Sequence, residues 1–167
     1  MGDLGIRKVI SPRIIAAADI DALLALNNAH AAETGLLDRD GLAGMIGEAF
    51  CARTVDSHQA LLITFDQSAA YDSRNFLWFR DRYPLFVYID RVIVAQPARG
   101  AGIARALYTE LFALASAAGH HIISCEVNRV PANPGSDAFH AALGFAEAGR
   151  GSPSLDKEVR YLTKKLP

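Results

Sequence analysis

Apolar and polar positions follow two different periods along this chain, and each change of period marks the border between a strand and a helix. Residues 85–95 form the strongest strand signal, because they are almost continuously apolar. Such a run is typical of a central strand that is covered on both faces. Residues 102–118 instead carry Leu107, Leu111 and Leu114 on one helical face, and Gly119 predicts the end of that helix.

The same patterns predict the remaining elements. Strands are predicted at residues 5–10, 52–55, 60–65, 121–127 and 158–166, with a short one beginning at 144–145, and helices at 20–32, 39–49 and 136–142. Asp19 and Ser136 are predicted helix caps, and residues 67–84 are predicted to be irregular. No repeat or linker divides the chain, so residues 1–167 are predicted to form one domain. Its predicted class is α/β (α+β), a mixed sheet with helices on both faces.

Composition narrows the classes of partner. The 167 residues include 17 basic and 18 acidic side chains, and a net charge of -1 gives no field that would attract nucleic acid or an anionic membrane. No apolar run approaches the ~20 residues of a membrane span, and the first residues do not resemble a signal peptide. Cys51 and Cys125 lack metal-ligand spacing. We therefore expect a cytoplasmic protein without metal, nucleic-acid or membrane partners.

The stretch from residue 92 to 107 has the pattern of a phosphate site, because a buried strand runs through a glycine-containing loop into a helix. Free N–H groups and the helix dipole favour an anion there, and Gly100 and Gly102 allow close approach. Arg99 could add a bidentate cation. The loop is not a P-loop, and Arg105 replaces the third glycine of a dinucleotide fingerprint. An ordinary strand-to-helix turn remains the alternative.

Two motifs in this region resemble those of the GCN5-related N-acetyltransferases. Arg99-x-x-Gly102-x-Ala104 is similar to the family's signature loop. Downstream, Asn133, His140 and Gly144-Phe145 fall at the spacing of the family's second motif, in which Asn is followed by Tyr and then Gly-Phe.

The resemblance implies a fold, a co-substrate and a set of contacts. The implied fold is a mostly antiparallel twisted sheet of about six or seven strands, and the implied co-substrate is acetyl-coenzyme A. The residues implied to hold it are Val92, Ile93 and Val94 along the pantetheine arm, Arg99, Gly100, Ala101, Gly102, Ile103 and Ala104 around the pyrophosphate, and Asn133, Phe139 and His140.

One departure from the family pattern concerns the acid that protonates the departing thiolate. The family's tyrosine is replaced by His140 in this chain. An imidazole with an ordinary pKa near 6.5 can also donate a proton, so His140 is a candidate catalytic acid. In the alternative, His140 only packs near the sulfur and water supplies the proton.

A base is also needed, because an ammonium group cannot attack a thioester. Glu126 lies in an apolar strand, where burial would raise its pKa, and its surroundings resemble a segment of the ribosomal-protein N-terminal acetyltransferases whose glutamate is the base. A purely structural carboxylate is the alternative. Strand alternation places Cys125 on the opposite face from Glu126, which argues against an acyl-cysteine route.

Acceptor contacts are expected from the first two helices, as the resemblance implies. The candidates are Asn28, His30 and Glu33 there, and Tyr88 and Asp90 on the central strand. A solvated helix face is the alternative for the first three.

The segment 67–84 is long for a connection and carries the only Trp. It is consistent with an acceptor lid, a contact in a homodimer, or local packing. The function that we expect is direct transfer of an acetyl group to a primary amine, on a small molecule or a peptide N-terminus. The alternative is a non-catalytic acyl-CoA-binding module.

Overall fold

The protein is a seven-stranded mixed sheet with helices on both faces. A computed structural model describes residues 9–167. The strands are β1 (Arg13–Ile14), β2 (Cys51–Thr54), β3 (Ala60–Asp66), β4 (Val87–Val94), β5 (Ile122–Val130), β6 (Ala146–Ser154) and β7 (Lys157–Lys165). The helices are α1 (Ile20–Ala29), α2 (Ala31–Thr34), α3 (Arg39–Glu48), α4 (Arg74–Arg80), α5 (Ile103–Ala117) and α6 (Pro134–Ala142). The strand order is β1-β2-β3-β4-β5-β7-β6, and only β4 and β5 are parallel, which confirms the predicted fold class.

Two apolar layers cover the sheet, as the alternation of side chains along a strand requires. On one face, α5 packs against the sheet through Leu107, Leu111 and Ala115, and α6 lies beside it. The other face is covered by α1, α3 and α4, with Phe76 and Phe79 fully buried. The expectation of helices on both faces is therefore confirmed.

The centre of the sheet opens between β4 and β5. These strands pair only at Val87 with Ile123 and at Tyr88 with Ser124, although both continue for several more residues. A bulge on β4 accompanies the opening, because Ile89 and Arg91 pair with successive residues of β3 and Asp90 is left as the extra residue. The cleft of the candidate site lies in the gap between these two strands.

The segment 67–84 is not irregular throughout, and the prediction was wrong at α4. The Ser73 side chain accepts a hydrogen bond from the Phe76 amide at 3.2 Å and caps this helix. Two apolar residues three apart, Phe76 and Phe79, then bury one face. Pro84 lies beyond the helix end, so it does not disrupt it.

Both predicted helix caps require correction. The Asp19 carboxylate binds the Arg13 guanidinium at 2.7 Å and makes no cap bond to α1. The second cap is Asn133 rather than Ser136, and its side chain accepts from the Ser136 amide at 3.1 Å. The first residue of α6 is Pro134, which has no backbone N–H group that needs a partner. This fits a helix that starts earlier than predicted.

Other boundaries differ from the predictions. The helix predicted at 20–32 ends at Ala29, and a short α2 follows after His30. The last hairpin is longer than expected, because β6 extends over nine residues. The strand predicted at 5–10 lies largely outside the described residues, and its last two positions are not in a strand.

Residues 9–167 contain no helix that is long and apolar enough to cross a membrane. Within the same range, no group of three or more His, Cys, Asp or Glu side chains is arranged to hold a metal ion.

Candidate active site

A cleft of about 790 Å³ runs along the opening of the sheet and adjoins a smaller chamber of about 120 Å³ between β4 and β5. The cleft reaches the loop before α5, and the chamber reaches Glu126. The two share Val92, Asn128 and His140 among their lining residues, so a molecule in the cleft can extend into the chamber.

The glycine loop ends in an uncapped helix N-terminus. Gly100 and Gly102 adopt φ values of 80° and 85°, a left-handed conformation that glycine adopts without strain. Gly102 is the N-cap of α5 and supplies no side-chain partner, so the first amides of the helix have none within it. Together with the helix dipole, they form an anion site that faces the cleft.

Arg99 joins this loop to His30, one of the predicted acceptor residues. Its Nε donates to the Val94 carbonyl at 3.1 Å, and its Nη2 lies 3.4 Å from His30 Nε2. The His30 Nδ1 lies 3.0 Å from the Leu26 carbonyl, which can only accept a hydrogen bond, so Nδ1 donates there and Nε2 faces the Arg99 guanidinium. The guanidinium is therefore held beside the anion site.

The residues predicted for the donor side lie together. All of them line the cleft except Ala101, which is exposed: Val92, Ile93, Val94, Arg99, Gly100, Gly102, Ile103, Ala104, Asn133, Phe139 and His140. The family resemblance of the glycine loop and of the motif that begins at Asn133 brought this set together from the sequence.

Glu126 projects from β5 into a polar cluster at the end of the chamber. Tyr88 Oη donates to its carboxylate at 2.8 Å, and Asn75 of α4 also hydrogen-bonds to it. Burial, reinforced by the negative charge of Asp90, raises the pKa of Glu126 to about 8. Its carboxyl group therefore takes up and releases a proton in the pH range of most cellular reactions, as the sequence predicted from its apolar strand.

Asp90, the bulge residue, anchors a second buried network next to Glu126. Its carboxylate accepts from Tyr71 Oη and from Arg91 Nε, the latter at 2.7 Å. Arg91 in turn donates to Asn27 at 2.6 Å. The guanidinium thus balances the charge of Asp90 and ties β4 to α1.

His140 is almost fully buried and bonded at both ring nitrogens. Its Nδ1 lies 2.8 Å from the Ser136 carbonyl, and its Nε2 lies 2.9 Å from Tyr108 Oη. Burial lowers the pKa of His140, which favours the neutral ring. Because a carbonyl only accepts, the single proton of that ring is on Nδ1, and Nε2 accepts from the Tyr108 hydroxyl.

Cys125 also touches the chamber, but its side chain belongs to the apolar layer under α5. Glu126 bonds to Tyr88, whose ring lies in the opposite layer, in agreement with the predicted alternation. Burial raises the pKa of the Cys125 thiol well above its ordinary value. The group is held as a thiol, which is a poor nucleophile.

The predicted acceptor residues separate into two groups. His30 and Glu33 line the cleft, and Asp90 lines the chamber. Asn28 instead bonds to the Leu37 backbone, with Nδ2 2.9 Å from the carbonyl. Tyr88 is buried and reaches the site only through its bond to Glu126.

Sequence reasoning missed three polar residues of the site. Tyr108 is the only hydroxyl group among the buried side chains of α5, which was the available signal. Asn75 and Tyr161 bond to each other at 3.0 Å beside Glu126. Their meeting depends on α4 packing across the sheet, and no local pattern encodes that contact.

Glu126 should make folding stability depend on pH. Its pKa rises from 4.5 to about 8 on folding, so the folded state binds more protons between these values and stability falls as pH increases through that range. We expect Glu126→Gln to melt within about 1 °C of wild type at pH 4 but at least about 4 °C higher at pH 9, by thermal denaturation. The control is Glu158→Gln, at an exposed position on β7. Its melting temperature should differ from that of wild type by the same amount at both pH values. Equal melting shifts for Glu126→Gln at both pH values would contradict this prediction.

A family model matches most of the chain. The model for the acetyltransferase (GNAT) family matches residues 29–145, which contain the glycine loop, Glu126 and His140. Among proteins with curated functions, none matches the chain significantly in sequence.

Solved structures share the fold at low sequence identity. Ard1 from Thermoplasma volcanium superposes with a TM-score of 0.73 at 14% identity, over 96% of this chain and 99% of its own. Ribosomal-protein-alanine N-acetyltransferase from Brucella melitensis gives 0.69 at 22% identity, over 93% and 99%. NAA60 from Arabidopsis thaliana, in complex with acetyl-CoA, gives 0.71 at 15% identity, over 95% and 100%.

Proposed function

Since the chain belongs to the acetyltransferase (GNAT) family, we propose that it transfers an acetyl group from acetyl-coenzyme A directly to a primary amine. The observation that carries the proposal is the continuity of the cleft. One end holds an uncapped helix N-terminus suited to a pyrophosphate, and the adjoining chamber holds a carboxyl group with a pKa of about 8. An acyl donor fixed at the first end can present its thioester to an amine beside the second.

The donor is assigned to the glycine loop and β4. The amides of Gly102, Ile103 and Ala104 and the Arg99 guanidinium would bind the pyrophosphate, as they all line the cleft. The pantetheine arm would lie along Val92–Val94, where β4 has separated from β5 and its facing backbone groups are free to pair with an amide. The Brucella and Arabidopsis relatives carry names or ligands of the same chemistry, which supports this assignment.

Glu126 is assigned the role of general base. Its carboxylate removes a proton from the incoming ammonium, directly or through one water, and the neutral amine attacks the thioester carbonyl. A pKa of about 8 suits this transfer better than an ordinary carboxylate would, since it is closer to that of an amine. Backbone N–H groups of β4 that face the gap are available to stabilise the oxyanion.

Direct attack is favoured over an acyl-cysteine intermediate. Cys125 is held as a thiol by burial and lies under α5, in the apolar layer away from the Glu126 carboxylate. The acceptor would approach from the side of His30 and Glu33, where Glu33 can attract its positive charge. The acceptor class proposed is a small molecule or a peptide N-terminus.

The proposal is tested by two measurements on the purified wild-type protein. Calorimetry should give micromolar binding of acetyl-CoA, and a panel of amines that includes peptides with free N-termini should contain at least one that is acetylated. Mass spectrometry of the product should place the new acetyl group on nitrogen. Tight binding without acetylation of any amine would instead support the non-catalytic acyl-CoA-binding module.

A further inference from the structure

Tyr108 approaches the reaction chamber from the side opposite Glu126. Its ring is packed among aromatic side chains of α5, α6 and the loop before β6, with ring centroids 5.1 Å from Phe139 and 6.3 Å from Phe145. Its hydroxyl, however, bonds to His140 Nε2, and Tyr108 and His140 both line the small chamber that Cys125 and Glu126 also line. A fully buried phenol is thus placed beside the chamber in which the proposed thioester would meet its acceptor.

The hydrogen bonds of His140 assign the proton between these two side chains. The Nδ1 proton is committed to the Ser136 carbonyl at 2.8 Å, so Nε2 is a bare acceptor. The Tyr108 hydroxyl, 2.9 Å away, is then the donor of this pair. The side chain that holds a transferable proton toward the chamber is therefore the phenol, and the imidazole orients it.

We propose that Tyr108 is the acid that protonates the departing coenzyme A thiolate, with His140 as its positioning residue. This inference rests on the proposed acetyl transfer. The phenol that the family pattern expects at position 140 on α6 is then supplied from α5 instead. His140 fills the vacated volume and fixes the hydroxyl through Nε2.

The proton and electron pairs balance in this step. When the tetrahedral intermediate collapses, the C–S bond breaks and its electron pair stays on sulfur. The Tyr108 hydroxyl rotates about its C–O bond from Nε2 toward sulfur, an S–H bond forms, and a phenolate remains. The new amide nitrogen releases its extra proton to water, and water returns a proton to the phenolate. Glu126 later releases the proton that it took from the ammonium, so one proton is set free per turnover.

The surroundings keep Tyr108 in the protonated form until the thiolate appears. Burial raises its pKa well above the ordinary value, and the nearby Cys125 and Glu126 on β5 act in the same direction. The other titratable side chains that line the chamber are His140 from α6, Glu33 from α2, and Asp90 and Arg91 from β4.

Tyr108→Phe removes one oxygen and retains the packed ring. We expect kcat to fall about 10- to 100-fold while the KM for acetyl-CoA stays within about threefold. His140→Phe should also lower kcat, and the double variant should be no slower than Tyr108→Phe alone, because the two residues act as one unit. Tyr83→Phe, at the end of α4 and outside the cleft, is the matched control and should retain wild-type kcat. Unchanged kcat in Tyr108→Phe would overturn the proposal.

A second measurement needs no turnover. Coenzyme A is bound to wild type, Tyr108→Phe and Tyr83→Phe, and its thiol is titrated by the ultraviolet absorbance of the thiolate. A phenol that donates to sulfur should make the pKa of the bound thiol about one to two pH units lower in wild type and Tyr83→Phe than in Tyr108→Phe. Equal values in all three proteins would overturn the assignment. A lower thiol pKa in wild type without acetylation of any amine would support the phenol–sulfur contact while removing the proposed function.

Discussion

Replacing Glu126 with Gln is expected to lower kcat/KM for the acceptor amine by about 10³-fold, within the range for loss of a general base. Glutamine keeps nearly the same shape and can still accept the hydrogen bond from Tyr88 Oη. It cannot take a proton from an ammonium, so the loss should be catalytic rather than structural. Initial rates at saturating acetyl-CoA measure the catalytic loss. Calorimetric affinity for acetyl-CoA measures any structural change at the donor site, and this affinity should be unchanged.

The dependence of kcat/KM on pH gives a second test of Glu126 as the general base. In wild type, kcat/KM should increase with pH and level off above about 8, since the ionised form is the base and its pKa is about 8. The acceptor should be an amine whose own pKa lies well above that range. The inflection should vanish in Glu126→Gln but persist in Glu158→Gln, the exposed control on β7. A Glu126→Gln variant with the wild-type rate and profile would show that another group removes the proton.

Replacing Gly102 with Glu is expected to weaken acetyl-CoA binding on the order of 10³-fold. The substitution places a carboxylate at the uncapped start of α5, where the pyrophosphate is proposed to bind, and like charges at such a contact cost several kcal/mol. Calorimetric titration with acetyl-CoA measures the effect. Binding of wild-type strength by the variant would exclude the glycine loop as the phosphate site.

The chain offers a matched control for the strain that this substitution introduces. Gly119 has the same φ of 85° at the other end of α5, and in both places a Cβ atom meets nothing within 4 Å. Gly119→Glu therefore imposes the same backbone strain but lies outside the cleft. It also puts a negative charge at the unfavourable end of the helix dipole, so its stability loss should be at least as large. Acetyl-CoA affinity should nevertheless remain at the wild-type level.

The residues proposed to bind the acyl donor could be selected from the sequence, because the glycine loop among them depends on local backbone requirements. Positive φ values at Gly100 and Gly102 and an uncapped helix start are properties of a few consecutive residues. The strands and helices that flank the loop were likewise identifiable from their periods. The family resemblance then supplied the chemistry, and the family match over residues 29–145 confirmed the class.

The polar contacts around the chamber could not be predicted in this way, because they join distant segments. The bond between Tyr108 and His140 joins two helices separated by 32 positions, and the bond between Asn75 and Tyr161 joins positions 86 apart. The bulge at Asp90 depends on the pairing register with β3, which the sequence of β4 alone does not specify. The helix α4 was not predicted, because Pro84 favours an irregular segment. It lies beyond the helix, however, and leaves the Ser73 cap and the Phe76–Phe79 spacing intact.

The short junction between β4 and β5 has a mechanical consequence. Because these strands pair at only two positions, the sheet consists of two half-sheets, β1–β4 and β5–β7, that are fastened at one end and separated at the other. A pantetheine arm between them would supply the amide groups that the missing ladder lacks, and so act as a temporary eighth strand. Backbone amides facing the gap should then exchange with solvent more quickly in the free protein than those elsewhere in the sheet. These amides should become protected together when acetyl-CoA binds, because a single ligand would fill the whole gap between β4 and β5.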